Sequence, residues 1–319
     1  MRRGSMEYWP HRRAKRLLPR VRSWPSAKEP SFLGFAGIKI GMTHVTLIDD
    51  SESPSKGTEI SRPVTLIEIP KVYLYGVRLY SHGDFNYKMP YKEFYIKDMV
   101  AKLRIKGKGS VVESIDNVKP QPNDSVRALM LADISSLHIG NKRRIRFEVA
   151  IGGKDATEKL EFVKKYAGKE IKAADIFKPG EYVDAISISK GKGWAGVIKR
   201  YGVARLVRKA TNKTRHVGTL GPWHPPKVQY TVPQAGHMGY NYRTEINKRI
   251  LKIGQASEAA SVNVAGGYPN YGLVKSDFIM LDGSIPGPAK RLVRLRKALR
   301  SKAQVVTPQL VYISTASKQ

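Results

Sequence analysis

Alternating apolar and polar residues predict short β-strands along most of the chain after residue 31. The segment FLGFAGIKIGMTHVTLIDD, which begins at Phe32, is rich in Ile, Val and Thr and predicts strands with glycine bends. Further strands are predicted over residues 63–70, 71–81, 143–151, 181–200, 271–287, 290–299 and 304–314. Short strands that flank one insertion are typical of a β-barrel.

The segment KRLVRLRKAL (residues 290–299) alternates basic with apolar side chains. This alternation predicts a strand whose apolar face covers the core and whose basic face lies on phosphate.

Helical spacing of apolar residues occurs in three segments. Residues 91–103 have it, and residues 155–169 have it most clearly, with Asp155 or Thr157 as the N-cap and Gly168 at the end. YRTEINKRILKIG (residues 242–254) predicts a short helix that Thr244 caps and Gly254 ends.

These elements predict a mainly β fold with an α+β insertion. Residues 1–31 form a basic N-terminal arm, because four prolines interrupt any helix there. Residues 32–83 and 181–319 form a β-barrel core, and residues 84–180 form an inserted α+β module. Residues 205–245 form a long extension within the barrel part.

The net charge restricts the possible classes of function more than the pattern of apolar and polar residues does. The chain of 319 residues has 57 Lys and Arg against 26 Asp and Glu, which gives +31. Such a surface attracts polyanions, with nucleic acid as the first expectation and a membrane surface as the alternative. A basic amphipathic helix would favour a membrane surface, and the sequence pattern predicts no long helix of this kind. The sequence has no run of 18 apolar residues and no apolar core of a signal peptide. It also has no cysteine, which is compatible with a reducing compartment.

The positive charge is concentrated in acid-free tracts. Residues 49–184 hold 20 of the 26 acids and carry only +4, so the remaining residues carry +27. No acid lies between Asp184 and Glu245, and none follows Asp282. A solvated charged face is normally balanced by nearby acids. Phosphates would supply the missing countercharge here.

The segment GTLGPWHPPKVQYTVPQAGHMGYNYR (residues 218–243) lies inside the largest acid-free tract and has too few aliphatic residues to form a core. We expect it to be disordered until it meets a partner. Aromatic side chains interleaved with cations can stack on unpaired RNA bases, and Trp194, Tyr201, Trp223, Tyr230, Tyr240 and Tyr242 are candidates. Pro222, Pro225 and Pro226 make burial of Trp223 in a sheet improbable.

Two short motifs allow other chemistry. GKGWAG (residues 191–196) matches the glycine pattern of dinucleotide-binding loops, but the required acid about 20 residues on is missing. Close approach of backbone to an RNA phosphate fits it better. His216, His224 and His237 lie near one another in sequence, but without Cys or a nearby carboxylate they do not make a zinc set. Without a catalytic motif either, we expect no enzyme activity.

The candidate RNA-binding residues are basic, aromatic or histidine side chains of the acid-poor tracts. They are Arg12, Arg13, Lys15, Arg16, Lys190, Lys192, Trp194, Lys199, Arg200, Arg205, Arg208, Lys209, Lys213, Arg215, His216, Trp223, His224, Lys227, His237, Tyr242, Arg243, Lys248, Arg249, Lys290 and Arg291.

Four segments resemble motifs of the ribosomal protein L three family, the universal third protein of the large ribosomal subunit. They are residues 32–45 with the pattern K-x-G-M-T, residues 191–203, residues 218–254 and residues 266–299, and they occur in the expected order. The long middle insertion and the W-H-P sequence are similar to the archaeal and eukaryotic branch.

The resemblance implies a barrel of the translation-protein type packed against the insertion, and an extension that runs into ribosomal RNA (rRNA). The tip, with Trp223, His224 and Pro225, would lie near the peptidyl transferase centre without supplying catalytic groups. It also implies early binding to large-subunit rRNA, neighbouring large-subunit proteins as partners, and a place in the cytoplasmic ribosome. No membrane contact, homo-oligomer or cofactor is expected beyond structural Mg²⁺ or K⁺ that bridges to rRNA.

Two other classes of function stay open from the residues alone. An RNA-modifying enzyme or ribosome-assembly protein would use the same basic surface as a substrate groove. A DNA-binding or chromatin protein would prefer a duplex to folded RNA, and the Gly, Pro and aromatic loop argues against it.

Overall fold

The computed structural model of the chain describes residue 5 and residues 9–82, 88–104, 109–113, 115, 118, 120, 124–137, 139–140, 143–210, 212–300 and 305–318. The chain divides into two compact units. We call Leu18–Ser187 with Thr244–Gln319 the core unit, and Met1–Leu17 with Ile188–Arg243 the extension unit.

Strands dominate the secondary structure, which confirms the mainly β class. In chain order they are β1 (Gly34–Ile48), β2 (Glu59–Glu68), β3 (Lys71–His82), β4 (Lys88–Ile96), β5 (Ser110–Val112), β6 (Ser125–Asp133), β7 (Ile145–Ala150), β8 (Glu170–Ile171), β9 (Tyr182–Ile188), β10 (Gly191–Ala195), β11 (Gly236–Gly239), β12 (Tyr242–Gly254), β13 (Phe278–Asp282), β14 (Leu292–Lys297) and β15 (Leu310–Ile313). The α-helices are α1 (Lys97–Leu103), α2 (Ala156–Lys165) and α3 (Val197–Tyr201).

The first sheet of the core unit closes on itself. Its strands follow the order β14, β9, β12, β13, β2, β1, and β14 also pairs with β1, so six strands form a ring with the pairing of a barrel. Ile38 of β1 shows the closure, because it faces Leu292 of β14 on one side and Glu68 of β2 on the other. The last strand, β15, adds to the far half of β1, where Val45 faces Ile313.

A bulge in β1 explains one predicted glycine bend. The register with β2 shifts between Lys39 and Gly41. A Cβ atom on Gly41 would lie 2.8 Å from the ring of Tyr268, so only glycine lets that buried ring approach the strand.

The second sheet follows the order β5, β4, β3, β6, β7, with β8 attached to β3. It begins earlier than the predicted insertion, because β3 pairs with β6 from Lys71 to Tyr80. The sequence pattern predicts the boundary at residue 84, but Pro70 separates β2 from β3 and already marks the change of sheet. One continuous buried core spans both sheets within the core unit.

The prediction of a helix over residues 91–103 is half right. β4 continues to Ile96 and only then does α1 begin, ending before Arg104 with its φ of 48°. Phe94 and Tyr95 pair with β3. Aromatic residues have a high strand propensity, which favours a strand over a helix at these positions.

The prediction of a helix over residues 242–254 is wrong, because this segment is strand β12. Ile246, Ile250 and Ile253 are spaced as on one face of a helix, and this spacing alone favours a helix. The backbone from Ile250 to Gly254 instead pairs with β13, and this ladder satisfies the same peptide groups.

The predicted helix after Asp155 is confirmed as α2. Asp155 occupies the N-cap position without a side-chain hydrogen bond, and Gly168 with φ of 73° follows the helix end. The helix buries Leu160 and Val163, and its Phe162 ring packs on Phe32 with 4.9 Å between ring centroids.

The prediction that the basic side chains of residues 290–299 face phosphate is wrong for the middle of the strand. Arg294 and Arg296 of β14 are only 4% and 6% exposed. Arg296 pairs with the fully buried Asp184, and Arg294 donates to the carbonyl oxygen of Glu148 and lies 5.7 Å from the Trp24 ring. Basic and apolar residues do alternate along β14, but both faces of this barrel strand are covered by protein.

The predicted N-terminal arm divides between the two units. Residues after Leu17 belong to the core unit, where Val21 is buried and Trp24 lies against Gly34 and Arg294. Only the first 17 residues belong to the extension unit.

Candidate nucleic-acid interface

The extension unit concentrates the positive charge of the chain. Its 17 Lys and Arg residues stand against the single acid Glu7, so it holds +16 of the total +31. Nearly all of the described cations of this unit are exposed to solvent. With so few carboxylates nearby, the charge has no counterpart inside the unit and is available to an external polyanion.

A short ladder forms the base of the extension. Strands β10 and β11 pair so that Gly191 faces Gly239 and Trp194 faces His237. Gly239 has φ of 74°, and a Cβ atom there would lie 2.1 Å from the carbonyl oxygen of Lys190. The ladder therefore needs glycine at this position to bring the two backbones together.

Arg200 ties the two ends of the loop at this base. It lies in α3, which follows Gly196, and its Nη1 donates to the carbonyl oxygen of Gln234 at 2.8 Å. Its guanidinium also lies 5.1 Å from the centre of the Tyr201 ring. Arg200 is half-buried, so its main contact is structural, although it was predicted to bind RNA.

The glycine motif GKGWAG lies on β10 and at the start of α3. Gly193 has φ of 64°, and a Cβ atom on Gly193 or Gly196 would meet no atom within 4 Å. Close packing against the described residues therefore does not require glycine at either position. The helix after the motif has only five residues, which is far shorter than the helix of a dinucleotide-binding unit.

Trp9 and Ala14 of the N-terminal arm pack on the extension, a feature that sequence reasoning missed. The Trp9 ring lies 6.0 Å from Tyr201 and 6.3 Å from Tyr230, measured between ring centroids. The backbone N–H of Ala14 donates to Tyr240 at 2.9 Å. The aromatic residues of the arm are visible in the sequence, but the partners of Trp9 and Ala14 lie 192 to 226 residues away.

His11 belongs to the same cluster, with its ring 5.7 Å from Trp9. Burial lowers the pKa of His11, and the charges of Arg243 and Arg200 lower it further. Its ordinary pKa is already below 7. The imidazole is therefore neutral at neutral pH and adds nothing to the positive charge of the unit.

The outer part of the extension is almost wholly solvent-exposed. Every residue from 218 to 230 is exposed, and Trp223 reaches 87%. Its nearest aromatic neighbour is His224, at 6.5 Å between ring centroids. Trp194 and Tyr230 are also 80% and 76% exposed. Several exposed aromatic rings that stand among cations are typical of a surface that binds single-stranded nucleic acid.

The structure gathers most of the predicted RNA-binding residues in the extension unit. The exposed ones are Arg12, Arg13, Lys15, Arg16, Lys190, Lys192, Trp194, Lys199, Arg205, Arg208, Lys209, Lys213, Arg215, His216, Trp223, His224, Lys227 and Arg243. Arg200, His237 and Tyr242 are half-buried in the same unit. Lys248, Arg249, Lys290 and Arg291 lie in the core unit, where Lys290 alone is exposed.

Arg249 is engaged within the core unit. Its guanidinium pairs with Asp50 and donates to the carbonyl oxygen of Val306 at 2.7 Å. The hydrogen bond from Arg249 holds the pKa of Asp50 below its ordinary value. These contacts compete with any phosphate for the same side chain.

Within the part of the chain that the structure describes, no three His, Asp or Glu side chains cluster as a metal site requires. Among the same residues, no helix has the length and apolar character needed to cross a bilayer.

Comparison with known proteins adds a family to this geometry. A family model described as ribosomal protein L3 matches residues 1–110 and 87–319. The large ribosomal subunit protein uL3 of Methanothermobacter thermautotrophicus is 44% identical over 330 residues, which cover 100% of this chain and 97% of the relative. The proteins of the same name from Methanobrevibacter smithii and Thermoplasma acidophilum are 41% and 42% identical with the same coverage.

Proposed function

We propose, since the chain belongs to the ribosomal protein L3 family, that it is a structural protein of the large ribosomal subunit and that its extension unit binds rRNA. Its place is accordingly the large subunit of the cytoplasmic ribosome. The sequence similarity to archaeal relatives along the whole chain supports the archaeal type.

One observation carries the role of the extension. The exposed cations of the extension unit have almost no carboxylate among them, and they flank exposed aromatic rings at Trp194, Trp223 and Tyr230. Phosphates neutralise such cations with release of counterions, while unpaired bases stack on the rings. Duplex DNA would leave the aromatic rings without bases to stack on.

The exposed outer loop supports a finer proposal about position. Residues 218–230 have no core of their own and carry Trp223 at high exposure. This loop enters folded rRNA, binds it early in assembly, and organises it near the peptidyl transferase centre. Structural Mg²⁺ or K⁺ between phosphates and the protein would assist, and no cofactor takes part.

The protein acts by position and not by chemistry. The described residues of the extension unit present cations, rings and backbone, without a carboxylate to serve as a base beside them. An RNA-modifying enzyme or assembly factor with the same basic surface is the competing proposal.

Sedimentation of the tagged full-length chain separates the two. A structural protein is expected to travel with the large subunit at equal stoichiometry and to remain after a high-salt wash. An assembly factor or modifying enzyme would instead leave the mature subunit peak or wash off.

The salt dependence of rRNA binding tests which surface is used. Neutralising Lys190, Lys192, Lys199 and Lys209 to Gln should lower the slope of log affinity against log salt by about three, because each lost phosphate contact removes about 0.7–0.9. The matched control neutralises four exposed lysines of the core unit, Lys56, Lys71, Lys154 and Lys165, to Gln. Equal changes in both variants would contradict the assignment of the extension.

A further inference from the structure

The end of the chain carries a surface of opposite character to the extension. From Val305 to Ser317 there is no charged residue and no histidine, in a chain of net charge +31. Val305, Val311 and Tyr312 are 57%, 52% and 53% exposed. Exposed valine and tyrosine without charge are unlike the strongly basic surface that binds RNA.

This segment is held firmly in the core unit, so its exposure is not that of a loose tail. The N–H of Ile48 donates to Gln309 at 3.1 Å, and the N–H of Ser314 donates to His44 at 3.0 Å. Beyond the strand, Ala265 donates to Thr315 at 2.9 Å. Both ends of β15 are therefore fixed, and the apolar side chains between them are presented in one defined arrangement.

The strand β15 ends the sheet order. It pairs with β1, and its other edge pairs with no strand in the described part of the chain. The register with β1 shifts between Thr46 and Leu47, so Val311 has no partner on β1, while Tyr312 faces Thr46. Both side chains are about half exposed, so the described part of the chain leaves them uncovered.

Natural proteins protect such an edge with lysine, proline, a bulge, a very short strand or a covering segment. The strand β15 is short and carries a bulge, but its sequence LVYI has no lysine or proline, and Val311, Tyr312 and Ile313 have high strand propensity. The neighbouring exposed Met42 of β1 adds to the apolar character.

We propose that an extended, apolar segment of a neighbouring large-subunit protein adds as a strand to the free edge of β15 and covers Val311 and Tyr312. The inference rests on the proposed function, because it places the chain in the subunit. Backbone hydrogen bonds along the edge give the affinity, and alternate apolar side chains of the partner contact the two faces. Tyrosine in an uncharged setting is the usual composition of the centre of a protein–protein interface.

Site-specific photo-crosslinking in intact large subunits tests the proposal. Tyr312 is replaced by p-benzoylphenylalanine in the tagged full-length chain, the subunits are purified and irradiated, and the RNA is digested. The expected product is a single adduct with a peptide of one other large-subunit protein, identified by mass spectrometry. The matched control places the same amino acid at Tyr230, which is exposed in the extension unit and should crosslink to rRNA.

The outcomes distinguish the two proposals. If the chain does not enter the subunit, the proposed function fails before the edge is tested. If it enters and position 312 crosslinks to rRNA, or to nothing while position 230 reacts, the docking edge is overturned.

A second variant measures the contribution of the edge. Tyr312→Asp should release the crosslinked neighbour from salt-washed subunits about tenfold more readily, as for loss of an aromatic anchor, while Tyr312→Phe should retain it. Unchanged retention of the neighbour in Tyr312→Asp subunits would also overturn the proposal.

Discussion

At the scale of single residues, burial decides which cations are structural and which are free. Asp184 is fully buried and accepts hydrogen bonds from Arg296 and, at 3.0 Å, from the backbone N–H of Asn247. Removing one member of a buried pair leaves the other charge without compensation. Surface pairs contribute much less, because solvent screens them.

This contrast predicts the effect of two arginine substitutions in the core unit. Arg296→Met should lower the free energy of unfolding by about 3–5 kcal/mol, because Asp184 stays buried without its partner. Arg62→Met, which removes a surface pair with Asp282 at 3.8 Å, should cost at most about 1 kcal/mol. Urea unfolding of both variants checks the difference, and equal losses would contradict the assignment of Arg296.

Substitution of Trp223 should have the opposite effect to substitution of Arg296, because it should impair function without lowering stability. At 87% exposure its ring contributes nothing to a core. Trp223→Ala should leave the free energy of unfolding within about 0.5 kcal/mol and yet reduce the peptide-bond-forming activity of subunits that contain it. Loss of cooperative unfolding in the variant would make Trp223 a core residue and refute the prediction.

At the scale of elements, pairing partners decide conformation where local spacing is ambiguous. Helical spacing in β12 gave way to the ladder with β13, and aromatic residues extended β4 at the expense of α1. The helix α2 kept its predicted form, because its apolar face covers Phe32 and no strand competes for its backbone.

The ladder of β10 and β11 gives a test at this scale. Gly239→Ala should disrupt the base of the extension, because its Cβ atom would lie 2.1 Å from the carbonyl oxygen of Lys190. We expect weaker rRNA binding, with the unfolding of the core unit unchanged. Gly196→Ala is the control for folding, since its φ is −71° and its Cβ atom would meet no protein atom within 4 Å, so the ladder should stay intact. If both variants bind rRNA like the parent chain, the ladder does not support the extension.

At the scale of the whole molecule, the core unit holds both sheets around one core, and the extension unit holds about half of the net charge. The buried apolar residues of the extension unit are few, with Ala195 and Val197 among them. The stability of the core unit therefore depends on its own residues.

Replacing residues 205–232 by a short Gly-Ser linker should test this division of roles. The urea midpoint of the core unit should stay unchanged. The affinity for large-subunit rRNA should fall at low salt, because the replacement removes six cations: Arg205, Arg208, Lys209, Lys213, Arg215 and Lys227. A lower midpoint would mean that the outer loop supports the core after all. An unchanged affinity would move the RNA-binding surface to another part of the chain.

The sequence by itself determined the mainly β class, the helix α2, the acid-free extension and the exposure of Trp223. Each of these depends on local composition, period or charge, which are properties of neighbouring residues. Only the tertiary structure decided that β3 joins the second sheet, that Arg294 and Arg296 point into protein, and that Trp9 packs on Tyr201 and Tyr230. These outcomes depend on contacts between residues far apart in the chain, and one strand pattern is compatible with many such pairings until a common core selects one.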